Sequence, residues 1–354
     1  MEPIHDSGPD LLERALDSGA KRLAVISLHA GAGARTVVQT VAASALTRGH
    51  GVGVTCVPRI GREADDADRF TGITLPEGAI AATAAAVLEA GGPLDPLERI
   101  DCGAPPGEMG ICRVVRSSEV PLYGPDDTKA LDAVLRKLEA WSRGIVLVAG
   151  AFERHSFAAP DVTQAVVLSV GAGYSGTPER SAAAVRYVVD IFTLERCDFP
   201  VDRAFRDATA SHGAVAVDRN GEVLCEVAGR IAPLEALGKD LAAILLPDFL
   251  ADTLLTALVR SDVRCTLVVK DPTRVRVSPV YHTAWIKGGG RVAVMEPTRV
   301  LAIATNPANP DGPDAEPGSF RRLVAEVVPE IAVHDVRVET PSVEERPRWK
   351  FWGS

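Results

Sequence analysis

Short, continuously apolar runs alternate along the chain with stretches whose apolar residues recur at helical spacing. Lys21–Leu28 (KRLAVISL) ends in a Gly-rich turn, Thr36–Arg48 follows with helical spacing, and Gly51–Val57 (GVGVTCV) reads as a second strand. Pro58–Gly78 is polar and reads as a loop, and Ala79–Ala90 as an alanine-rich helix. Gly91–Pro106, broken by four prolines, reads as an exposed connection. Ile111–Val115 predicts a strand and Pro125–Trp141 an amphipathic helix with acids early and bases late. Gly144–Ala151 and Gln164–Val170 predict fully buried strands, with a long helix, Thr177–Thr193, behind the second. Strands apolar on both faces and separated by helices require a parallel sheet covered on both sides. Right-handed crossovers then give a doubly wound, mostly parallel α/β domain over residues 1–200.

Beyond residue 200 the pattern changes. Ala214–Ala228 holds two alternating runs around Asn220-Gly221, the strongest local signal for a hairpin. A helix near Pro247–Ser261 and strands at Val263–Lys270, Gly290–Met295 and Arg299–Thr305 extend a smaller α/β section over 201–342. Gly288–Gly290 reads as a tight turn and Asn306–Gly318 as a solvated loop. A helix follows near Ser319–Val328, with Ser319 as its N-cap, then a strand near Ile331–Val338. Residues 343–354, basic and aromatic without periodicity, are expected to form a flexible tail, and the chain shows no internal repeats.

At 354 residues the chain is long enough for about two domains. Its 46% hydrophobic and 24% charged residues suit a folded protein rather than a disordered one. The apolar runs are far shorter than the roughly 20 residues a membrane span requires, and Met1–Asp10 lacks the features of a signal peptide, so a cytoplasmic protein with no membrane contact is expected. Six cysteines sit singly without metal-ligand spacing and read as buried thiols. A net charge of −9 disfavours a general nucleic-acid binder.

The turn after the first strand carries the most chemistry: His29-Ala30-Gly31-Ala32-Gly33-Ala34-Arg35-Thr36. A strand, a Gly-rich loop and a helix beginning at a hydroxyl residue form the setting of a P-loop, in which backbone N–H groups cradle phosphates. Against G-x-x-x-x-G-K-[ST], His29 stands for the first Gly, Ala34 for the last and Arg35 for the Lys, while Thr36 keeps the magnesium-binding hydroxyl. Arg keeps charge for phosphate but is not interchangeable with Lys. The strand Gly144–Gly150 ends Val148-Ala149-Gly150, without the carboxylate that organises magnesium, and Glu153 is the first acid beyond it. The pattern therefore predicts anion binding by Gly31, Ala32, Gly33, Ala34, Arg35 and Thr36, with weak or lost ATPase activity. A charged loop after the second strand adds Arg59 and Arg62 for phosphate, and Glu63, Asp65 or Asp66 for a metal. His155-Ser156 is a sequence neighbourhood without a nucleophile elbow. Gly171-Ala172-Gly173-Tyr174-Ser175-Gly176 is a second, weaker Gly-rich turn.

Four ordered stretches resemble the P-loop subunit of the reactivase of lysine 5,6-aminomutase, an adenosylcobalamin enzyme. They are Gly53–Glu63 (GVTCVPRIGRE), Leu75–Ala84 (LPEGAIAATA), Arg154–Gly171 (RHSFAAPDVTQAVVLSVG) and Met295–Gly312 (MEPTRVLAIATNPANPDG). The resemblance implies a chaperone-like factor that uses ATP and Mg, neither covalently bound, to restore a mutase holding inactivated cobalamin. Its implied partner is the mutase or a second reactivase subunit, with self-association left open. Arg62 and Glu63 would sense phosphate, with Thr36 and Glu63 on the metal. Family members carry a Walker lysine and a strand-end acid where this chain has Arg35 and Ala149, so a divergent member is implied. No D-x-H-x-x-G pattern is present to hold a corrin. Two other functions fit the residues: a pseudo-P-loop scaffold that binds only protein, and an ATP-dependent ligase, which the missing acid disfavours.

Overall fold

The computed structural model describes residues 10–58, 71–103, 107–227, 232–261, 263–309, 312–316 and 318–336, so the expected tail at 343–354 lies outside the described residues. Two compact units divide the chain: residues up to Arg186 together with those from Val300 onward, and Tyr187–Arg299. This differs from a single cut near residue 200, because the C-terminal strands rejoin the first unit's sheet.

The first unit begins with α1 (Leu11–Asp17), β1 (Arg22–Ser27), α2 (Ala34–Thr47) and β2 (Val52–Cys56). It continues with β3 (Thr71–Leu75), β4 (Ile80–Ala84), α3 (Ala85–Glu89), β5 (Leu94–Asp101), β6 (Glu108–Val114) and β7 (Ser118–Leu122). Next come α4 (Thr128–Ser142), β8 (Ile145–Ala151), a 3₁₀ segment Phe152–Ala158, β9 (Ala165–Gly171) and α5 (Pro178–Phe192), whose residues from Tyr187 onward belong to the second unit.

The second unit holds α6 (Asp202–Ser211), β10 (Val215–Val217), β11 (Val223–Glu226), α7 (Ala232–Leu237), β12 (Ala243–Leu246) and β13 (Leu250–Ala251). It ends with α8 (Asp252–Arg260), β14 (Thr266–Val269), β15 (Val275–Arg276), α9 (Pro279–Lys287) and β16 (Arg291–Val294). The chain returns to the first unit as β17 (Val300–Asn306), α10 (Ser319–Val327) and β18 (Val333–Asp335).

The main sheet has nine strands in the order β18-β17-β9-β1-β8-β2-β4-β6-β5. All neighbours from β18 to β4 pair in parallel, and β6 and β5 add an antiparallel edge. The central strands are buried as their sequences require: Leu23, Ala24, Val25 and Ile26 of β1 have 0% exposure. Removing a Leu, Val or Ile side chain from water contributes about 1.5–3 kcal/mol. Arg22, at the start of β1, is 8% exposed and donates to Asp132 at 2.6 Å and to Glu139 at 2.8 and 3.0 Å, tying β1 to α4. The Glu139 hydrogen bond, partly opposed by burial, raises the Arg22 pKa. Cys112 and Cys265 are buried thiols pushed up to about 12, so neither is a ready nucleophile.

Some elements differ from their sequence patterns. Ala79–Ala90 is mostly not helix: Ile80–Ala84 is buried β4, held between β2 and β6, and only Ala85–Glu89 is helical. Alanine's helix preference is worth tenths of a kcal/mol per residue, less than a buried ladder position. The proline-rich connection contains the edge strand β5, in which Pro96 lies at a register shift, a place where a missing N–H breaks no ladder. The polar stretch before Gly78 contains β3, paired antiparallel with β7. Gly318, not Ser319, caps α10.

The second unit's sheet runs β11-β10-β12-β14-β16, with the hairpin β10–β11 antiparallel and β12-β14-β16 parallel. Its parallel strands reveal a short repeat that composition hides: Asp271-Pro272-Thr273-Arg274 follows β14 and Glu296-Pro297-Thr298-Arg299 follows β16. Among the described residues no helix is long and apolar enough to cross a membrane.

Candidate functional site

In a parallel sheet, ligands sit beyond the carboxyl ends of the strands, at the point where successive connections leave in opposite directions. Here that point lies between β1 and β9. The chain leaving β1 next enters the sheet at β2, on the β8 side, whereas the chain leaving β9 next enters it at β17, on the other side. The loop Leu28–Gly33 sits there, followed by the 14-residue helix α2.

Gly31 and Gly33 have φ of 82° and 99°, a left-handed backbone open to glycine at little cost. At Gly33 a Cβ would also lie 3.2 Å from Asn306 Cβ and 3.4 Å from Val336 Cγ2. The carbonyls of the loop are tied down one after another. His29 O accepts from Ser27 Oγ at 2.7 Å and from the Ala32 N–H at 3.2 Å. Gly31 O accepts from Asn306 Nδ2 at 2.9 Å, and Ala32 O from the fully buried Ser169 Oγ at 2.7 Å. In a trans peptide the C=O and the next N–H point opposite ways, so fixing the Ala32 carbonyl to Ser169 turns the Gly33 N–H away from the core.

The N–H groups of Ala34, Arg35 and Thr36 begin a helix and so have no intrahelical acceptor. The N-cap Gly33 supplies no side-chain acceptor, and the first turn contains no acid. By contrast, the N-cap Asp127 of α4 accepts from Lys129 and Ala130 N–H groups, each at 2.9 Å. The α2 terminus therefore combines outward N–H groups with about half a positive charge and no acid of its own first turn.

His29 braces this loop against the next strand end. Its Nε2 accepts the Gly171 N–H at 3.0 Å, and its ring stacks on Tyr174 at 5.4 Å and 17°. An N–H donated into Nε2 leaves the proton of the neutral ring on Nδ1. A Cβ on Gly171 would come within 2.8 Å of that nitrogen, which accounts for a glycine there. Burial pushes the Tyr174 phenol up, and the charge of Glu153 adds to the shift.

The expected site residues separate into groups. Gly31, Ala32, Gly33, Ala34 and Thr36 come together in the cradle. Arg35 stands on the first turn but is exposed, with its guanidinium donating to the Gly72 carbonyl of β3 at 3.4 Å. Arg62 and Glu63, with Arg59, Asp65 and Asp66, lie outside the described residues. The strand-end position Ala149 is 4% exposed and apolar, and Glu153 is exposed on the 3₁₀ segment. His155 stacks on Phe152 at 4.8 Å with its Nδ1 against the Phe152 carbonyl. Among the described residues no group of three or more His, Cys, Asp or Glu could hold a metal ion. Ser169, Asn306 and Tyr174 are partners that the motif did not identify; the second Gly-rich turn was the signal pointing to that strand end.

The cradle fits phosphate oxygens, which need convergent N–H donors. It does not fit a fully organised magnesium ion, for which the cradle itself offers the Thr36 hydroxyl while the β8 strand end carries Ala149 in place of a carboxylate. Comparison of the chain with protein-family models, characterised proteins and solved structures yields no match.

Proposed function

We propose that the chain holds the phosphates of a nucleotide, ATP or ADP, on the β1–α2 loop in the manner of a P-loop, and passes the bound state on to a partner protein as a reactivating factor for an adenosylcobalamin-dependent aminomutase. The observation that supports phosphate binding is the tethered loop: Ser169 and Asn306 turn successive carbonyls away from an uncapped helix N-terminus at the switch point. The client class rests on the resemblance of the four ordered stretches.

Backbone N–H groups of Gly33 to Thr36 would bind the phosphates, and Arg35 would add charge after leaving Gly72. The Thr36 hydroxyl is the single described candidate for a magnesium ion arriving with the nucleotide, which in such sites neutralises phosphate charge. The apolar strand end at Ala149 favours a nucleotide that is held rather than turned over quickly. That feature also favours the second reading, a protein-binding scaffold.

The test is calorimetric titration of the purified protein with Mg·ATP and Mg·ADP, beside Arg35→Ala and Gly33→Val. Saturable binding is expected, weakened about 10-fold by the arginine loss, the size of one charge-assisted contact. The valine, with its Cβ in the left-handed position, should abolish it while circular dichroism stays native. Heat-free titrations of the native protein would overturn nucleotide binding and leave the scaffold. Binding without release of damaged cofactor from an added aminomutase would remove the client while keeping the nucleotide.

A further inference from the structure

The outer edge of the nine-stranded sheet carries a groove of about 460 Å³ lined by Glu98, Arg113, Lys137, Ala140, Trp141 and Arg143. Glu98 comes from β5, Arg113 from β6, and the others from the end of α4. The Trp141 indole N–H donates to Glu98 Oε2 at 2.9 Å, and Lys137 Nζ donates to Oε1 of the same carboxylate. The Lys137 hydrogen bond, followed by that of Trp141, holds the Glu98 carboxyl below the usual carboxylate range. The one acid in the groove is thereby engaged internally, and its bond fixes an indole that remains 39% exposed.

Two cations are left over. Arg113 and Arg143 are exposed, and among the described residues neither guanidinium has a hydrogen-bond or ion-pair partner; Asp95 faces Arg113 across the β5–β6 ladder without forming one. Nearby Arg99, by contrast, is paired with Glu108 at 2.8 Å and Glu89 at 3.2 Å. In a chain of net charge −9, a tryptophan flanked by two unpaired guanidiniums is a local reversal of sign.

We propose that this groove binds an acidic segment of a partner protein, with carboxylates on Arg113 and Arg143 and an apolar or aromatic side chain against Trp141. Arginine and tryptophan are the residues on which binding energy concentrates, and guanidinium matches carboxylate bidentately. A nucleic acid is disfavoured because its extended charge would run on over an acid-rich surface. Strand addition is disfavoured because β5 is charged and bulged at Pro96. The inference shares no residue with the nucleotide cradle and stands or falls separately.

Arg143 makes the test clean. It caps α4 with φ 54°, a position where glycine is the usual occupant, so Arg143→Gly deletes the cation and relieves the backbone at once. The full-length protein is titrated into a short fluorescein-labelled peptide of glutamates and tyrosines, and into its glutamine counterpart, by anisotropy at low salt. Binding of the glutamate peptide alone is expected, weakening with salt. Arg113→Gln and Arg143→Gly should each reduce it about fivefold, as for exposed ion pairs, with the melting temperature of Arg143→Gly unchanged or higher. No binding of the glutamate peptide, or equal binding by the double variant, would overturn the proposal. Tighter binding of a fluorescent DNA duplex than of the peptide would overturn it in favour of nucleic acid.

Discussion

Ser169 and Asn306 do at single-residue scale what glycines alone cannot. Glycine permits the left-handed turns at Gly31 and Gly33, but permission does not select a peptide orientation; a hydroxyl at 2.7 Å and an amide at 2.9 Å do. Ser169→Ala should cost about 1 kcal/mol of stability, the net worth of one hydrogen bond, leaving a buried carbonyl unpaired. It should also weaken nucleotide binding several-fold, since the Gly33 N–H is freed to turn inward. Urea titration beside calorimetry checks both; lost stability with unchanged affinity would show that the tether is structural only. The glycines and Thr36 were legible in sequence because left-handed turns and helix starts are local. The tethers were not, because their partners lie 137 and 275 residues away. His29 read as a departure from a motif, while its role as a brace to Gly171 needed the two strand ends side by side.

Among elements, β1, β8 and β9 were legible because a strand buried on both faces is written as an unbroken apolar run. β4 was not: its Ile-Ala-Ala-Thr-Ala composition suits helix or strand, and only its place between β2 and β6 decides. The buried Arg22 was equally invisible, since its meaning comes from Asp132 and Glu139 on α4. Arg22→Met should destabilise the protein by about 1–3 kcal/mol, less than a fully buried pair because both acids are 26% exposed. Burial alone would raise the Asp132 pKa, yet its hydrogen bond to Arg22 and the charges of Arg22 and Arg136 hold it below the ordinary value. A lowered carboxylate pKa supports the fold above the unfolded value of about 4 and loses that support as pH falls through the folded one. The native protein should therefore lose stability more steeply below about pH 4 than Arg22→Met. Denaturant midpoints across that range measure the difference, and parallel curves would rule the ion pair out as the cause.

At the scale of the whole molecule, chain order hides sheet order. β17 reads as a continuation of the second section, yet it pairs with β9 along Val300–Asn306 after an excursion of Tyr187–Arg299 that builds its own sheet and core. Sequence pattern reports strands but not their neighbours, so the expected cut fell near residue 200. Separate cores predict unfolding in two non-coincident steps in urea. Trp141 reports the first unit and Trp285 the second, so variants retaining one or the other as the fluorescent probe should give different midpoints; coincident transitions would mean a single cooperative block. The central claim, that phosphates rest on the backbone between Gly33 and Thr36, is tested most directly by amide hydrogen exchange with and without Mg·ATP. Slowed exchange in peptides covering Leu28–Val37, lost in Gly33→Val, is the predicted result. Bound nucleotide with that segment unprotected would contradict it.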